Sequence, residues 1–278
     1  MNKAILFKVL HRRFKFRNPN QWLDLPEDFK YTQLEYESAL KYLETLWRLN
    51  IKWTYPGHEQ YPKNFLKMKE PPLFIEYLGK PFWNSHPCLS IVGSRKIHSL
   101  TEAWLKLHLS EYLSKQAVHA GVTVCVVSGG AYGVDQLAHF IAIKQASPTV
   151  VVVPSGLIDM YPKNLKENLN SELVCYLSEF ETDQKLHKSH FYFRNRLIAA
   201  LGEITFMVQA DIKSGSLLTV HHALENGRPI ITLPSHPQLI GFGGNLKLLQ
   251  DGAYMVSSSL DLFEFWNAEI TTKNYLMT

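Results

Sequence analysis

The chain has 278 residues, 46% hydrophobic and 19% charged, which excludes a disordered protein and is enough to bury a full-sized core. Its net charge of +4 is compatible with nucleic acid but too small to identify a partner. No apolar run approaches the roughly 20 residues of a membrane span.

The run 4–10 is interrupted by Lys8, and its basic cluster follows rather than precedes it, unlike a secretory leader. Residues 1–52 read as a small helical N-terminal region. Tyr36, Leu40, Leu43, Leu46 and Trp47 form one apolar helical face, while His11, Arg12, Arg13, Lys15 and Arg17 are either a solvated face or a surface for a polyanion. Prolines 56, 62, 71, 72 and 81 mark 53–83 as an extended lead-in.

From Leu89 strands and helices alternate. Strands are predicted at 89–93, 122–127, 149–154, 173–177, 204–208 and 229–233. Helices are predicted at 100–117, 132–145, 164–170, 194–201, 215–226 and 244–250. Such alternation implies an α/β fold with an open, mainly parallel sheet and helices on both faces. Residues 269–278 read as a tail. Cys88, Cys125 and Cys175 are widely spaced within apolar segments, as expected of buried free thiols in a reducing cytoplasm, and form no metal-binding pattern.

The stretch 122–142 organises the rest. A β-branched strand runs into Ser128, Gly129 and Gly130, and apolar residues then recur at helical spacing. Glycines let the backbone approach a ligand, and a helix start favours phosphate. Leu89 to Arg95 repeats the plan. In an open parallel sheet both loops face one crevice and are expected to meet. Each is a phosphate cradle or a turn with only a packing role.

Polar clusters fall at these loops and at two others. Gly93, Ser94, Arg95 and Lys96 suit an anion, since arginine offers a fixed fork of donors. Asp135 reads as a helix-capping charge. Between 185 and 196 stand Lys185, Lys188, Arg194 and Arg196, two histidines and Phe191, Tyr192 and Phe193. Interleaved cations and aromatics fit single-stranded nucleic acid, where bases stack on rings; the alternative is core aromatics beside surface bases. Lys213, Ser214, Gly215 and Ser216 open a helix as an anion cradle or as ordinary caps.

Several chemistries lack their motifs. There is no GxxxxGK[ST], no GxSxG and no HExxH, and the glycine loop is not GxGxxG. His221 and His222 read as structural. No cofactor is implied.

The sequence resembles the DNA-processing protein A family (DprA, also called Smf). The resemblance is carried in order by IVGSRK at 91–96, SGGAYGVDQLAH at 128–139, YPKN at 161–164, LSEF at 177–180, FRNRLIAAL at 193–201, KSGSLLTVHHALENGRPI at 213–230 and GGNLKLLQDGA at 243–253. The lead-in YPKNFLKMKEPPLFIEYLG at 61–79 is similar to that family's entry to its core.

This resemblance implies a Rossmann-like core over 53–268 and a cytoplasmic, non-catalytic protein. It implies a homodimer that binds single-stranded DNA, protects incoming DNA, displaces single-strand-binding protein and loads the recombinase RecA during natural transformation. The DNA-binding residues it implies are Gly93, Ser94, Arg95, Lys96, Gly129, Gly130, Lys188, Phe191, Arg194, Asn195, Lys213, Ser214, Gly215 and Ser216. The winged-helix-like domain found in many members is expected to be absent after the core.

The enzyme alternative is a nucleoside-monophosphate phosphoribohydrolase of the same fold group. Its PGGxGTxxE pattern, set on Ser214, Gly215, Ser216 and Thr219, places Leu218 at a glycine and His222 at the acid. A histidine cannot supply the negative charge that an oxocarbenium-like transition state needs.

Overall fold

The computed structural model describes residues 3–13, 30–119 and 121–276. Lys15 and Arg17 of the early basic cluster lie outside them. In chain order the elements begin with α1 (Lys3–Arg13), α2 (Gln33–Arg48), β1 (Lys52–Thr54), a 3-10 turn at Lys63–Lys67, β2 (Ile75–Leu78) and β3 (Cys88–Gly93). Helix α3 (Ser99–Trp104) continues through a π-helical turn at Leu105–Leu109 into α4 (Ser110–His119). Next come β4 (Cys125–Ser128), α5 (Val134–Lys144), β5 (Thr149–Val152), α6 (Leu165–Asn168), β6 (Val174–Ser178) and α7 (Lys188–Leu201). The chain then forms β7 (Ile204–Gln209), α8 (Ser216–Glu225), β8 (Ile230–Thr232), α9 (Gly243–Gln250), β9 (Tyr254–Met255) and α10 (Ser259–Leu276).

The strands form one nine-stranded sheet in the order β1-β2-β6-β5-β4-β3-β7-β8-β9. From β6 to β9 every pairing is parallel, while β1–β2 and β2–β6 are antiparallel. The fold is thus the expected Rossmann-like α/β sheet, with an antiparallel edge that alternation of strands and helices did not predict. β1 and β2 come from the proline-punctuated lead-in. Prolines cannot donate to a ladder, but here they flank the strands and leave 75–78 free to pair.

Each central strand is buried on both faces. On one face, Val92, Cys125, Val127, Val150 and Leu177 pack under α7, α8 and the 3-10 turn. On the other, Leu89, Ile91, Val126, Phe206 and Ile231 pack under α3, α4, α5 and α10, and Val151, Val153 and Tyr176 pack under α1 and α2. All three cysteines are buried and free. The N-terminal helices therefore share a core with the sheet. Thr32 caps α2 and exchanges backbone and side-chain bonds with Glu35.

Three element boundaries differ from the sequence reading. Residues 122–124 lead into β4 without pairing. Helix α10 (Ser259–Leu276), a stretch with no predicted helix, takes in most of the residues read as a tail. Helix α7 starts at Lys188, six residues before the predicted start. Consecutive residues on a helix point about 100° apart. Three aromatics in a row are therefore sent to three places, which let the helix include the whole aromatic run. In the basic cluster, Arg12 bonds Glu181 and Arg13 bonds Glu35, so both are spent on internal contacts.

Candidate functional site

In strand order the chain steps from β3 outward to β6, then returns to the other side of β3 as β7. The crevice beyond the carboxyl ends of β3 and β7 is therefore the switch point where open α/β sheets take ligands. A cavity of about 270 Å³ lies there. Its walls are Gly93, Ser94 and Arg95 after β3, Ala131 and Asp135 after β4, Phe191, Arg194 and Asn195 on α7, and Ser214, Gly215, Ser216 and Thr219 at the start of α8.

The two glycine loops meet, as expected. Val134 N donates to Ser94 O at 3.1 Å. Gly133 permits the contact: its φ is +83°, and a β-carbon would stand 2.3 Å from Ser94 O. The loop after β3 is braced by Gln209, whose carbonyl accepts from Ser94 N at 2.7 Å and whose Oε1 accepts from His98 N at 2.9 Å. Ser216 Oγ donates to Gly93 O at 2.9 Å, tying α8 to the end of β3, and Asn195 Nδ2 donates to Gly215 O at 3.4 Å, tying α7 to the start of α8.

Arg194 forms the inner wall. It is 4% exposed, and its Nε has no hydrogen-bond partner. A β-carbon at Gly129 would stand 1.4 Å from its Nη1, so the guanidinium occupies the space that glycine leaves. Burial pulls the arginine down to about 10, opposed by the charge of Asp135 and reinforced by that of Arg95. It remains a cation at neutral pH. Burial likewise pushes Asp135 upward, against Arg194 and backbone donors. Asp135 Oδ2 accepts from Gly129 N at 3.2 Å. This corrects its reading as a simple cap: it holds the glycine loop and faces Arg194.

Phe191 stands at the mouth. The guanidinium carbons of Arg95 and Arg194 lie 5.3 and 5.8 Å from its ring centroid, and Tyr161 meets it edge-on at 5.8 Å.

The structure therefore brings together Gly93, Ser94, Arg95, Phe191, Arg194, Asn195, Ser214, Gly215 and Ser216. Gly129 and Gly130 are buried beneath the cavity rather than in its wall. Lys96, Lys188 and Lys213 are exposed outside it. Arg196, from the same basic segment, is turned away and ion-paired with Glu179. Gln209 was missed because one glutamine at the end of a strand carries no pattern. Tyr161 lies far away in sequence and meets Phe191 only through the fold.

An open α/β sheet with a switch-point crevice walled by guanidiniums, serines and a helix start is a Rossmann-like fold. The DNA recombination-mediator protein A family matches residues 52–267, and the chain belongs to that family. It is 33% identical over 212 residues to DNA processing protein DprA of Streptococcus pneumoniae, covering 74% of this chain and 72% of that one. It is 30% identical over 232 residues to Protein Smf of a Synechocystis species, covering 81% of this chain but 56% of that protein, so it spans little more than half of that relative's length.

Two solved structures share the fold. DNA processing protein A from S. pneumoniae superposes with a TM-score of 0.73 at 23% identity, over 95% of this chain and 93% of that one. The Helicobacter pylori protein, described for its unique single-stranded DNA binding mode, gives a TM-score of 0.65 at 26% identity, over 78% and 97%.

Proposed function

We propose that this chain binds single-stranded DNA without strong sequence preference, as a cytoplasmic homodimer that protects incoming DNA and loads RecA in place of single-strand-binding protein during natural transformation. The observation that carries the DNA-binding reading is the cavity at the switch point, where Arg95 and Arg194 flank the ring of Phe191. Cations for the backbone and a ring for a base are the two parts a single-strand site requires. The H. pylori relative's description supports the same ligand. The role in transformation and the RecA, single-strand-binding-protein and dimer partners rest on family membership.

The protein acts without turnover in this reading. Asp135 is the carboxylate in the cavity wall, and it is engaged with the Gly129 amide and opposite Arg194. His222, at the position the phosphoribohydrolase pattern gives to an acid, is bonded to Glu225 away from the cavity wall. Adenine released from AMP would overturn the non-catalytic reading.

The deciding experiment is a salt titration of anisotropy with labelled oligo-dT and its blunt duplex. Tight, salt-sensitive binding to the single strand and much weaker binding to the duplex is the expected result. Equal affinity for both, or none at low salt, would remove the proposal.

A further inference from the structure

The cavity is an open pocket on a smaller scale than a strand. Its volume of about 270 Å³ lies just below the roughly 300–1,000 Å³ of drug-sized ligand sites. That is room for a single phosphate, sugar and base. Its polar groups come from separate elements, with Arg95 from the loop after β3, Arg194 and Asn195 from α7, and Ser214 and Ser216 from the start of α8. The start of a ten-residue helix supplies a positive dipole end, while its first amides are taken by Ser214 and Gly215.

The sign of a ligand is the convergence of Arg95 and the buried Arg194 on one cavity, since the unpartnered Nε of Arg194 is matched at Arg196 and Arg228 outside it. Charge sets the ligand's class. Arg95 and Arg194 against Asp135 leave one net positive charge in the wall, to which the helix start adds about half. That matches a small anion with one or two charges. Phe191 lines the same cavity with the guanidiniums of Arg95 and Arg194 over its ring, so a base would stack there in place of the exposed Arg95. The exposed lysines at 96, 188 and 213 lie outside these walls.

We propose that the cavity binds a free nucleoside 5′-monophosphate as a ligand in its own right, so that single nucleotides compete with the strand for it. The inference rests on the reading of this cavity as a nucleotide site. It adds that one nucleotide suffices, with the outer lysines contributing only when a chain continues beyond it. Competition would make strand binding responsive to the pool of mononucleotides that nuclease digestion of DNA produces.

The test is calorimetric titration of the full chain with thymidine 5′-monophosphate, with thymidine and inorganic phosphate as separate probes. Displacement of labelled oligo-dT is measured in parallel. One molecule should bind per chain, at least tenfold tighter than thymidine or phosphate alone, and should displace the oligonucleotide. Arg95→Ala and Phe191→Ala should each weaken it about tenfold, or 1.4 kcal/mol, while Lys106→Ala, on the surface of the π-helical turn, changes nothing.

A chain that binds oligo-dT but shows no saturable uptake of the monophosphate would overturn the inference and leave the strand reading standing. So would monophosphate binding that is indifferent to both cavity variants. Binding of the monophosphate by a chain that ignores oligo-dT would remove the strand reading and, with it, the proposed competition.

Discussion

Two of the places where this molecule buries a cation beside a carboxylate are built for opposite ends. At the antiparallel edge, Lys8 of α1 has no exposed surface. It stands 3.4 Å from Glu76 and 3.3 Å from Glu181, with its ammonium 3.8 Å from the ring centroid of Tyr42. Tyr42 donates to Glu76 Oε1 at 2.6 Å and accepts from Thr182 N at 2.6 Å, while Arg12 bonds Glu181. Burial still drives Lys8 downward and Glu76 up to about 7. At the switch point Arg194 faces Asp135 and lines a cavity of about 270 Å³. One cluster joins helices to a sheet, whereas the other leaves room beside it for an acceptor from outside.

The largest effect should come from cutting the sealed cluster. Glu181→Ala leaves both Lys8 and Arg12 without their shared carboxylate, and urea denaturation at pH 7 should show a loss of about 3–5 kcal/mol. Its affinity for oligo-dT should stay within twofold of the parent. A large loss of DNA binding at unchanged stability would erase the distinction between the two sites.

Acid should attack the same edge. Hydrogen bonding from Arg12 and the charges of Lys8 and Arg12 outweigh burial and hold Glu181 at about 2. Because this lies below the ordinary carboxylate value, the unfolded chain binds the proton first. The contribution is present above about pH 4.5 and disappears as pH falls toward 2, on the order of 2–3 kcal/mol. Denaturation midpoints between pH 5 and pH 3 should fall in the parent and fall less in Glu181→Gln.

Gly129→Ala pushes Arg194 from its place, so it should cost about 1–3 kcal/mol through overpacking and about tenfold in oligo-dT affinity. Phe191→Ala should lose about 1–3 kcal/mol of binding for each stacked base while leaving the salt slope unchanged. Arg95→Ala should show the smallest change, flattening the plot of log K against log salt by about 0.7. Anisotropy at four salt concentrations separates these last two. A Phe191→Ala protein that lost its salt dependence would contradict their division of labour.

Much of the site was legible because its parts sit where period and composition change. The glycines at 93, 129 and 130 end β-branched runs, and Ser214 to Ser216 precede a helical pattern, so the loops could be placed at one sheet edge. What could not be read was which cation faces which way. Arg194 and Arg196 are two residues apart on one helix, yet one walls the cavity and the other is spent on Glu179. Asp135 read as a cap because its neighbour in sequence is a helix start. Its partner Arg194 is brought to it only by the packing of α7 across the ends of β3 and β4. Lys8 read as a break in an apolar run because its carboxylates, Glu76 and Glu181, are remote in the chain.

By itself, then, the sequence determined the parallel sheet as far as β8, the helices between its strands and the loops that meet at the switch point, but not β9 or α10. Those follow from local propensity and from hydrophobic period, which act over a few residues. Only the tertiary structure decided the antiparallel edge, the sealing of Lys8 and the opening left beside Arg194. Each depends on pairs of groups far apart in the chain, and a buried charge takes its role from what the fold places opposite it.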